Sequence, residues 1–240
     1  MRRKTRSYLL AAALVFGLLA IAGGAVGAVL KQEPDFYSRL GEGNDWTRGE
    51  RASSLMTRVQ DLKNDIRAKS DWSGSFQGDD LNAFCLENLS PGTSYANLLP
   101  SGLHSPRIVI EGDRIKLGLR YGRGFWSSIL WVELKAWLVK NDTNVIAVEL
   151  CGVHAGSMPV GCQTLLDTLS EAARESNIEV SWYRHNGNPV GLFRFYADQI
   201  RPTTQIHTFK IQDGTIGIAG RTRLEKVQHT TPGLDPLRGD

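Results

Sequence analysis

An uncharged, mostly apolar run from Tyr8 to Leu30 most constrains what this chain can fold into. At about 1.5 Å per residue, a helix of this length reaches roughly 34 Å, and a bilayer's hydrocarbon core is about 30 Å thick. Four basic residues precede the run, Arg2, Arg3, Lys4 and Arg6. No basic residue lies inside it. This asymmetry predicts a single-pass membrane protein with a cytoplasmic N-terminus and an extracytoplasmic C-terminal domain.

A cleaved signal peptide is the alternative interpretation of the same residues. Val26-Gly27-Ala28 offers the small residues that signal peptidases prefer. The apolar run is, however, longer than the roughly 7 to 15 residues of a typical signal-peptide core, which favours a retained signal-anchor. Both interpretations export the remainder of the chain to the cell envelope.

The charge distribution argues against a nucleic-acid partner. The chain has 28 Lys and Arg and 25 Asp and Glu residues, for a net charge of +3. Removing the four basic residues before the apolar run leaves 24 basic against 25 acidic residues. The exported part therefore lacks the basic excess that phosphate binding needs, and we expect no contact with nucleic acid.

Composition divides the chain into four parts. Residues 1–30 are the basic stub and transmembrane anchor, and residues 31–48, rich in Gly, Asp, Glu and Asn, are a predicted spacer. Residues 49–222 carry the regular apolar patterns and are long enough for one hydrophobic core. Residues 223–240 contain prolines and many polar residues and are predicted to be a disordered tail.

Three segments have the apolar spacing of helices. The first, Thr47 to Lys69, has an apolar stripe at Ala52, Leu55, Met56, Val59, Leu62 and Ile66. The second begins after Gly78, and Asp79 and Asp80 in its first turn complement the positive end of a helix. The third is Val160 to Ser176. We expect these helices to pack on the exported domain.

Residues 107–153 switch to the period of two that is typical of strands. Glu111-Gly112-Asp113 separates two alternating segments and predicts a hairpin. Phe125–Val139 and Val145–Val153 continue the pattern, so we expect a meander of at least four antiparallel strands. Residues 178–182 and a second hairpin around Asp213-Gly214 add further strands. The predicted fold class is α+β, with a curved antiparallel sheet packed against two or three helices.

One strand is apolar on both faces and suggests a ligand-binding surface. Its odd positions include Phe125, Ile129, Trp131 and Trp137, which are the candidate lining residues. A sheet that is apolar on both sides needs a cover on each side, and an acyl chain or a packed helix could supply the second cover. The residues alone leave both possibilities open.

The three cysteines allow two arrangements. An extracytoplasmic compartment permits disulfides, and Cys151 and Cys162 could pair across the turn between them. Buried free thiols are the other possibility. Cys151, His154 and Cys162 could also ligate zinc with a fourth residue, but their spacing is not a known zinc pattern, so no metal site and no cofactor is predicted.

No enzyme signature is present. The chain has no Gly-rich phosphate loop, no His-Glu-x-x-His helix and no Gly-x-Ser-x-Gly elbow. Asp79 and Asp80 are adjacent, so their side chains point about 100 degrees apart on a helix and suit capping better than acid-base catalysis. Gly122-Arg123-Gly124 could present a cation to an anionic head group or could be a simple turn. We name no catalytic residue.

The order of these parts resembles a known family. The chain has an N-terminal anchor, the Asp-Asp-Leu-Asn-Ala-Phe segment at residues 79–84 after Ser75-Phe76, a Gly-Asp strand turn, and residues 156–160 leading into a helix. In this it is similar to the YpmS-like membrane-anchored extracytoplasmic proteins and, more loosely, to tubular lipid-binding domains. The resemblance covers roughly Ser73 to Gly220 and implies a fold and an apolar ligand rather than a reaction.

Two functions follow as hypotheses. The first is a membrane-anchored extracytoplasmic protein, attached through residues 8–30, that binds a lipid or other apolar ligand. The alternative is an envelope assembly or scaffold protein that acts through contacts with another protein. A hydrolase or transferase would require polar groups that converge in a cleft.

Overall fold

The structure is a computed structural model that describes residues 24–25, 27–41, 45–90, 92–93, 95, 99–124, 127–196, 198–199 and 202–224. Most of the predicted span at residues 8–30 lies outside the described residues, as do residues 225–240 of the predicted tail. Within the described part of the chain, no helix combines the length and the apolar character needed to cross a bilayer. Residues 27–31 are helical and lead into the domain.

The domain is α+β and contains two antiparallel sheets. The helices are α1 (Asp35–Arg39), α2 (Asp45–Ala68), α3 (Gly78–Asn88) and α4 (Gln163–Glu175). The strands are β1 (Asp71–Gln77), β2 (Leu103–Glu111), β3 (Arg114–Tyr121), β4 (Ser128–Leu138), β5 (Val145–Ala155), β6 (Met158–Pro159), β7 (Glu179–His185), β8 (Asn188–Arg194), β9 (Thr204–Gln212) and β10 (Thr215–Thr222).

The strands form a seven-stranded sheet and a three-stranded sheet. The larger sheet has the order β2-β3-β4-β5-β8-β7, with the short β6 paired to β5, and the smaller has the order β1-β10-β9. The predicted antiparallel pairing is therefore confirmed, but the strands divide between two sheets rather than one. The reason is long-range pairing. Strand β10 pairs on one side with β9, its hairpin partner, and on the other side with β1, which is the first strand in the sequence.

The meander and both predicted hairpins are present. In the first hairpin, Ile110 pairs with Ile115 across the Gly112-Asp113 turn, and in the second, Gln212 pairs with Thr215. Gly112 and Gly214 have φ of +61° and +77°, which glycine adopts without the steric cost that a Cβ would add. The local turn residues thus set the register of both hairpins.

The helices cover the sheets as their apolar stripes predict. On α2, Ala52 and Leu55 are buried, whereas Met56, which was predicted to belong to the same stripe, is 43% exposed. Helix α3 packs against β2, where Asn82 Oδ1 accepts a hydrogen bond from the Ile108 amide at 3.1 Å. Helix α4 covers one face of the large sheet through Leu166.

Helix α1 covers the opposite face of the large sheet. Phe36 and Tyr37 are 5% and 0% exposed and form a buried cluster with Ile129 of β4. Residues 31–48 were predicted to be a spacer, but their central part belongs to the core. The apolar pair is hidden among acidic, basic and glycine residues, and a five-residue helix is too short to show a helical period.

Asn144 joins the two sheets where β5 begins. Its side chain is fully buried, and it donates from Nδ2 to the Thr204 carbonyl and accepts at Oδ1 from the Ile206 amide, both at 2.8 Å. Its φ of +57° lies in the left-handed region, which asparagine tolerates better than most residues. One side chain therefore satisfies two backbone groups of β9 from the end of the neighbouring sheet.

Candidate functional site under helix α1

The structure places the four predicted lining residues in three different situations. Ile129 and Trp131 lie on the face of β4 under α1. Trp137, farther along the strand, is half-buried and pairs with Ala147 of β5. Phe125 lies outside the described residues. Of the three predicted lining residues that the structure describes, only Ile129 and Trp131 lie together.

Side chains from α1 fill the space next to these two residues. Ile129 is 1% exposed, and the Phe36 ring meets the Trp131 ring edge-on with 5.8 Å between centroids. The β3 backbone also approaches closely: a Cβ added to Gly118 would lie 2.8 Å from Tyr37 Cδ2. The second cover that the sequence required is therefore a helix of this chain.

Cations surround the two aromatic rings of α1. The guanidinium groups of Arg107 and Arg120 lie 4.1 and 5.6 Å from the Tyr37 ring centroid, and Lys116 Nζ lies 6.0 Å from the Phe36 ring centroid. Such contacts stabilise a cation that has lost part of its hydration. Cation–π interactions therefore add to the apolar contacts that hold α1 on the sheet.

Hydrogen bonds fix Tyr37 further. Its hydroxyl donates to the Ser105 carbonyl at 2.7 Å, and Arg107 Nη1 donates to the Tyr37 carbonyl. Burial raises the pKa of the Tyr37 hydroxyl above its ordinary value, although the nearby Arg107 charge opposes this shift. The phenol is therefore neutral at physiological pH and acts as a hydrogen-bond donor.

Carboxylates pair with two of these three cations, Arg120 and Lys116. Arg120 pairs with Glu33, and Lys116 Nζ lies 2.6 Å from Glu111 Oε2. Arg39 of α1 reaches the same Glu111 at 3.1 Å. These pairs connect α1 and the residues before it to β2 and β3, so the charges serve the docking of the N-terminal segment.

Trp131 has a second neighbour in His154 of β5. The two rings stack with centroids 4.1 Å apart and an interplanar angle of 10°, and Trp131 Nε1 donates to the Gly156 carbonyl at 2.7 Å. His154 Nδ1 is buried and has no hydrogen-bond partner among the described residues. Trp131 thus contacts both the Phe36 ring and the stacked His154 ring.

The two cysteines that could pair lie on opposite faces of the large sheet. Cys162 packs with Val132 and Leu150 under α4, whereas Cys151 shares the other face with Glu133 and Lys135. All three cysteines are free thiols. Among the described residues, no three His, Cys, Asp or Glu side chains are grouped as a metal site would require.

We expect all three thiols to remain unpaired in the purified protein. After unfolding in urea without reductant, alkylation should modify Cys85, Cys151 and Cys162. In the folded state, burial raises the pKa of Cys85 to about 11. At pH 8 this leaves on the order of a hundredfold less thiolate than in the unfolded chain, so native alkylation of Cys85 should slow by a similar factor.

Isotope-coded alkylation followed by mass spectrometry measures both the pairing state of each cysteine and the alkylation rate of Cys85. If Cys151 and Cys162 are protected in urea until a reductant is added, a disulfide joins them, and their placement on opposite faces of the sheet is wrong.

An open cleft of about 320 Å³ lies between α2, α3 and the end of α1. Two ion pairs join α2 to α3 near this cleft. Arg51 and Asp79, which line the cleft, are 3.3 Å apart, and Arg58 and Asp80 are 2.9 Å apart. Both aspartates lie in the first turn of α3, as predicted. Their carboxylates hold the two helices together, which gives them a structural role.

The end of the N-terminal helix is bonded to the large sheet. Ser128 Oγ donates to the Leu30 carbonyl at 2.5 Å, and the Ser157 amide donates to the Val29 carbonyl at 3.0 Å. Gly156 has φ of +59°, and a Cβ there would collide with the Val29 carbonyl oxygen. Only glycine allows this approach.

Sequence reasoning missed the residues that build this attachment. Phe36 and Tyr37 form an adjacent aromatic pair inside a polar segment, which was the available signal for a buried element. The sequence pattern places Gly156 and Ser157 before a helix but does not identify them as a docking surface for the chain's own N-terminal segment.

No family model matches the chain, and comparisons with the curated proteins and with the solved structures find no match.

Proposed function

We propose that this protein is a single-pass, membrane-anchored extracytoplasmic scaffold whose domain is fixed to the end of its anchor and binds another envelope protein. The observation that carries the proposal is the attachment of residues 29 and 30 to β4 and to the β5–β6 turn. A domain bonded directly to its anchor has a defined orientation. Such an orientation suits a protein that positions a partner.

The filled face under α1 supports a scaffold over a ligand carrier. Ile129 and Trp131 already contact Phe36 and Tyr37, so an apolar ligand would have to displace α1. The described surface also carries a candidate contact residue for a protein partner: Trp46 on α2 is 91% exposed. Tryptophan is enriched among the residues that dominate binding energy at protein interfaces.

A photoreactive amino acid in place of Glu50, one helical turn from Trp46, tests the scaffold function in intact membranes. We expect it to crosslink one defined protein, and we expect Trp46→Ala to lower that yield about fivefold or more, since truncating an energetically important interface residue costs more than about 1 kcal/mol. Tyr183→Ala, which removes another exposed aromatic side chain, is the matched control and should leave the yield unchanged. Equal yields in the two variants would refute the role of Trp46.

Membrane topology is tested in the same membranes with a maleimide that cannot cross the bilayer. In a chain whose three native cysteines are replaced by serine, Asn186→Cys, at an exposed position in the turn between β7 and β8, should be labelled from the extracytoplasmic side, and Arg3→Cys only after lysis. Labelling of Arg3→Cys in intact cells would contradict the proposed orientation.

Binding of a lipid or other apolar ligand is a second candidate. It is favoured by the small size of α1, the helix that covers Ile129 and Trp131. This helix has 5 residues, and its displacement would expose both side chains. A photoactivatable fatty acid added to membranes that contain the full chain should then label β4, and Phe36→Ala should increase the labelling. No labelling of β4 in either protein would exclude this candidate.

A further inference from the structure

We propose that one end of the seven-stranded sheet rests on the outer surface of the bilayer, with anionic lipid head groups as its partner. The contact surface, which we call the proximal rim, consists of Val29, Lys31, Tyr121 and Arg123. The inference rests on the proposed membrane anchoring and adds to it a defined face of the domain.

Pairing registers place the rim at one end of the sheet. Tyr121, the last residue of β3, pairs with Ser128, the first residue of β4. Ser128 in turn bonds the Leu30 carbonyl, and the neighbouring Ser157 amide bonds the Val29 carbonyl. The chain therefore leaves the predicted span at the same end of the sheet where these residues lie.

The rim has the mixed character of a membrane-interface surface. Its apolar members have large exposed fractions: Val29 is 38% and Tyr121 52% exposed. Tyrosine is enriched at membrane–water interfaces because its ring is apolar and its hydroxyl is polar. These exposed side chains can therefore enter the head-group region of a bilayer.

The charges at this end are mainly positive. Lys31 and Arg123 are both exposed, and the nearby Arg120 is neutralised by Glu33. An open cleft of about 180 Å³ lies beside them, and its charged lining residues are Lys31, Arg120 and Glu33. Basic residues close to a bilayer are attracted by anionic head groups within about a Debye length. The rim therefore complements an anionic membrane better than a neutral one.

The short connection restricts the orientation of the domain relative to the predicted span. Residues 29 and 30 belong to the predicted apolar run and are also hydrogen-bonded to the sheet, so no free linker separates the span from the domain. A second protein at this end would have to fit between the sheet and the bilayer surface. The bilayer is the occupant that the position of the chain dictates.

Depth-dependent fluorescence quenching tests the rim in the full-length protein. An environment-sensitive fluorescent amino acid replaces Tyr121 in one variant and Tyr183 in the control. Tyr183 is also exposed, at 43%, but the pairing Tyr183–Val190, Glu149–Val190 and Lys135–Glu149 places it level with Lys135, far along β4 from Ser128.

Both variants are reconstituted in vesicles of phosphatidylcholine with phosphatidylglycerol that carry spin labels on their head groups. We expect quenching at position 121 at least threefold greater than at position 183. Lys31→Gln combined with Arg123→Gln should reduce the increase that phosphatidylglycerol causes over pure phosphatidylcholine.

Flotation of the vesicles separates failure of the rim from failure of the anchor. Protein that floats with the vesicles but is quenched equally at the two positions, or at neither, overturns the rim and leaves the anchor intact. Protein that does not float overturns the proposed membrane anchoring and the rim that rests on it.

Discussion

Replacing Tyr37 by alanine is expected to lower the free energy of unfolding by about 3 to 5 kcal/mol, the range for truncating a large buried aromatic side chain. Tyr37 is 0% exposed, its hydroxyl donates to the Ser105 carbonyl, and its ring lies 4.1 Å from the Arg107 guanidinium. The substitution removes all of these contacts. Urea titration of the full chain in detergent micelles, followed by near-ultraviolet circular dichroism, measures the loss.

Two controls separate packing from hydrogen bonding at this position. Tyr183→Ala removes an exposed tyrosine and should change the free energy of unfolding by no more than about 0.5 kcal/mol. Tyr37→Phe keeps the ring and removes the hydroxyl, with its bond to the Ser105 carbonyl and its contact with Arg120, which should cost about 1 kcal/mol. A Tyr37→Ala variant as stable as Tyr183→Ala would show that residues 31–48 are a spacer after all.

Asn144→Ala should destabilise the domain by about 3 to 5 kcal/mol. The substitution leaves the Thr204 carbonyl and the Ile206 amide without their partner, and each unsatisfied buried group costs about 1 to 3 kcal/mol. It also places alanine at φ of +57°, where an ordinary side chain is strained. Because the two sheets meet at this residue, we expect hydrogen exchange to rise first in β9.

Asn177 provides a matched control for the backbone strain. It also has a left-handed backbone, with φ of +56°, but its side chain is exposed. Asn177→Ala should therefore cost only the conformational term, about 1 kcal/mol. If the two alanine variants lose equal stability, the side-chain bonds of Asn144 do not join the sheets as described.

Patterns within a few neighbouring residues predicted much of the fold. The hairpin at Gly112-Asp113 and the strand that contains Ile129 and Trp131 follow from glycine turns and alternation, which depend only on adjacent residues. The helices α2 to α4 follow from apolar spacing in the same way.

Two strands were missed because their sequences dilute the apolar pattern. In β1, serine and glycine stand around Trp72 and Phe76, and the strand is stabilised by β10, with Trp72 Nε1 bonding Thr222 Oγ1 at 3.1 Å. In β8, Gly191 interrupts the alternation because a Cβ there would lie 2.8 Å from the rings of Trp182 and Phe193. Long-range packing decides both cases.

The candidate site was half predictable for a related reason. Alternation identified Ile129 and Trp131 as an apolar surface that needs a cover. It could not identify the cover, because Phe36 and Tyr37 lie in a segment without a period and meet β4 only through the tertiary fold. The face that was predicted to line a ligand is therefore the docking surface of the chain's own N-terminal segment.

Hydrogen–deuterium exchange of the full-length protein in lipid nanodiscs tests most directly the claim that residues 29–41 belong to the folded domain. We expect the amides of Tyr37 and Leu40, which bond the Pro34 and Phe36 carbonyls, and the Ser157 amide, which bonds the Val29 carbonyl, to exchange as slowly as amides of β4. Exchange of residues 31–41 at the rate of an unstructured peptide, while β4 stays protected, would show that these residues do not belong to the folded domain.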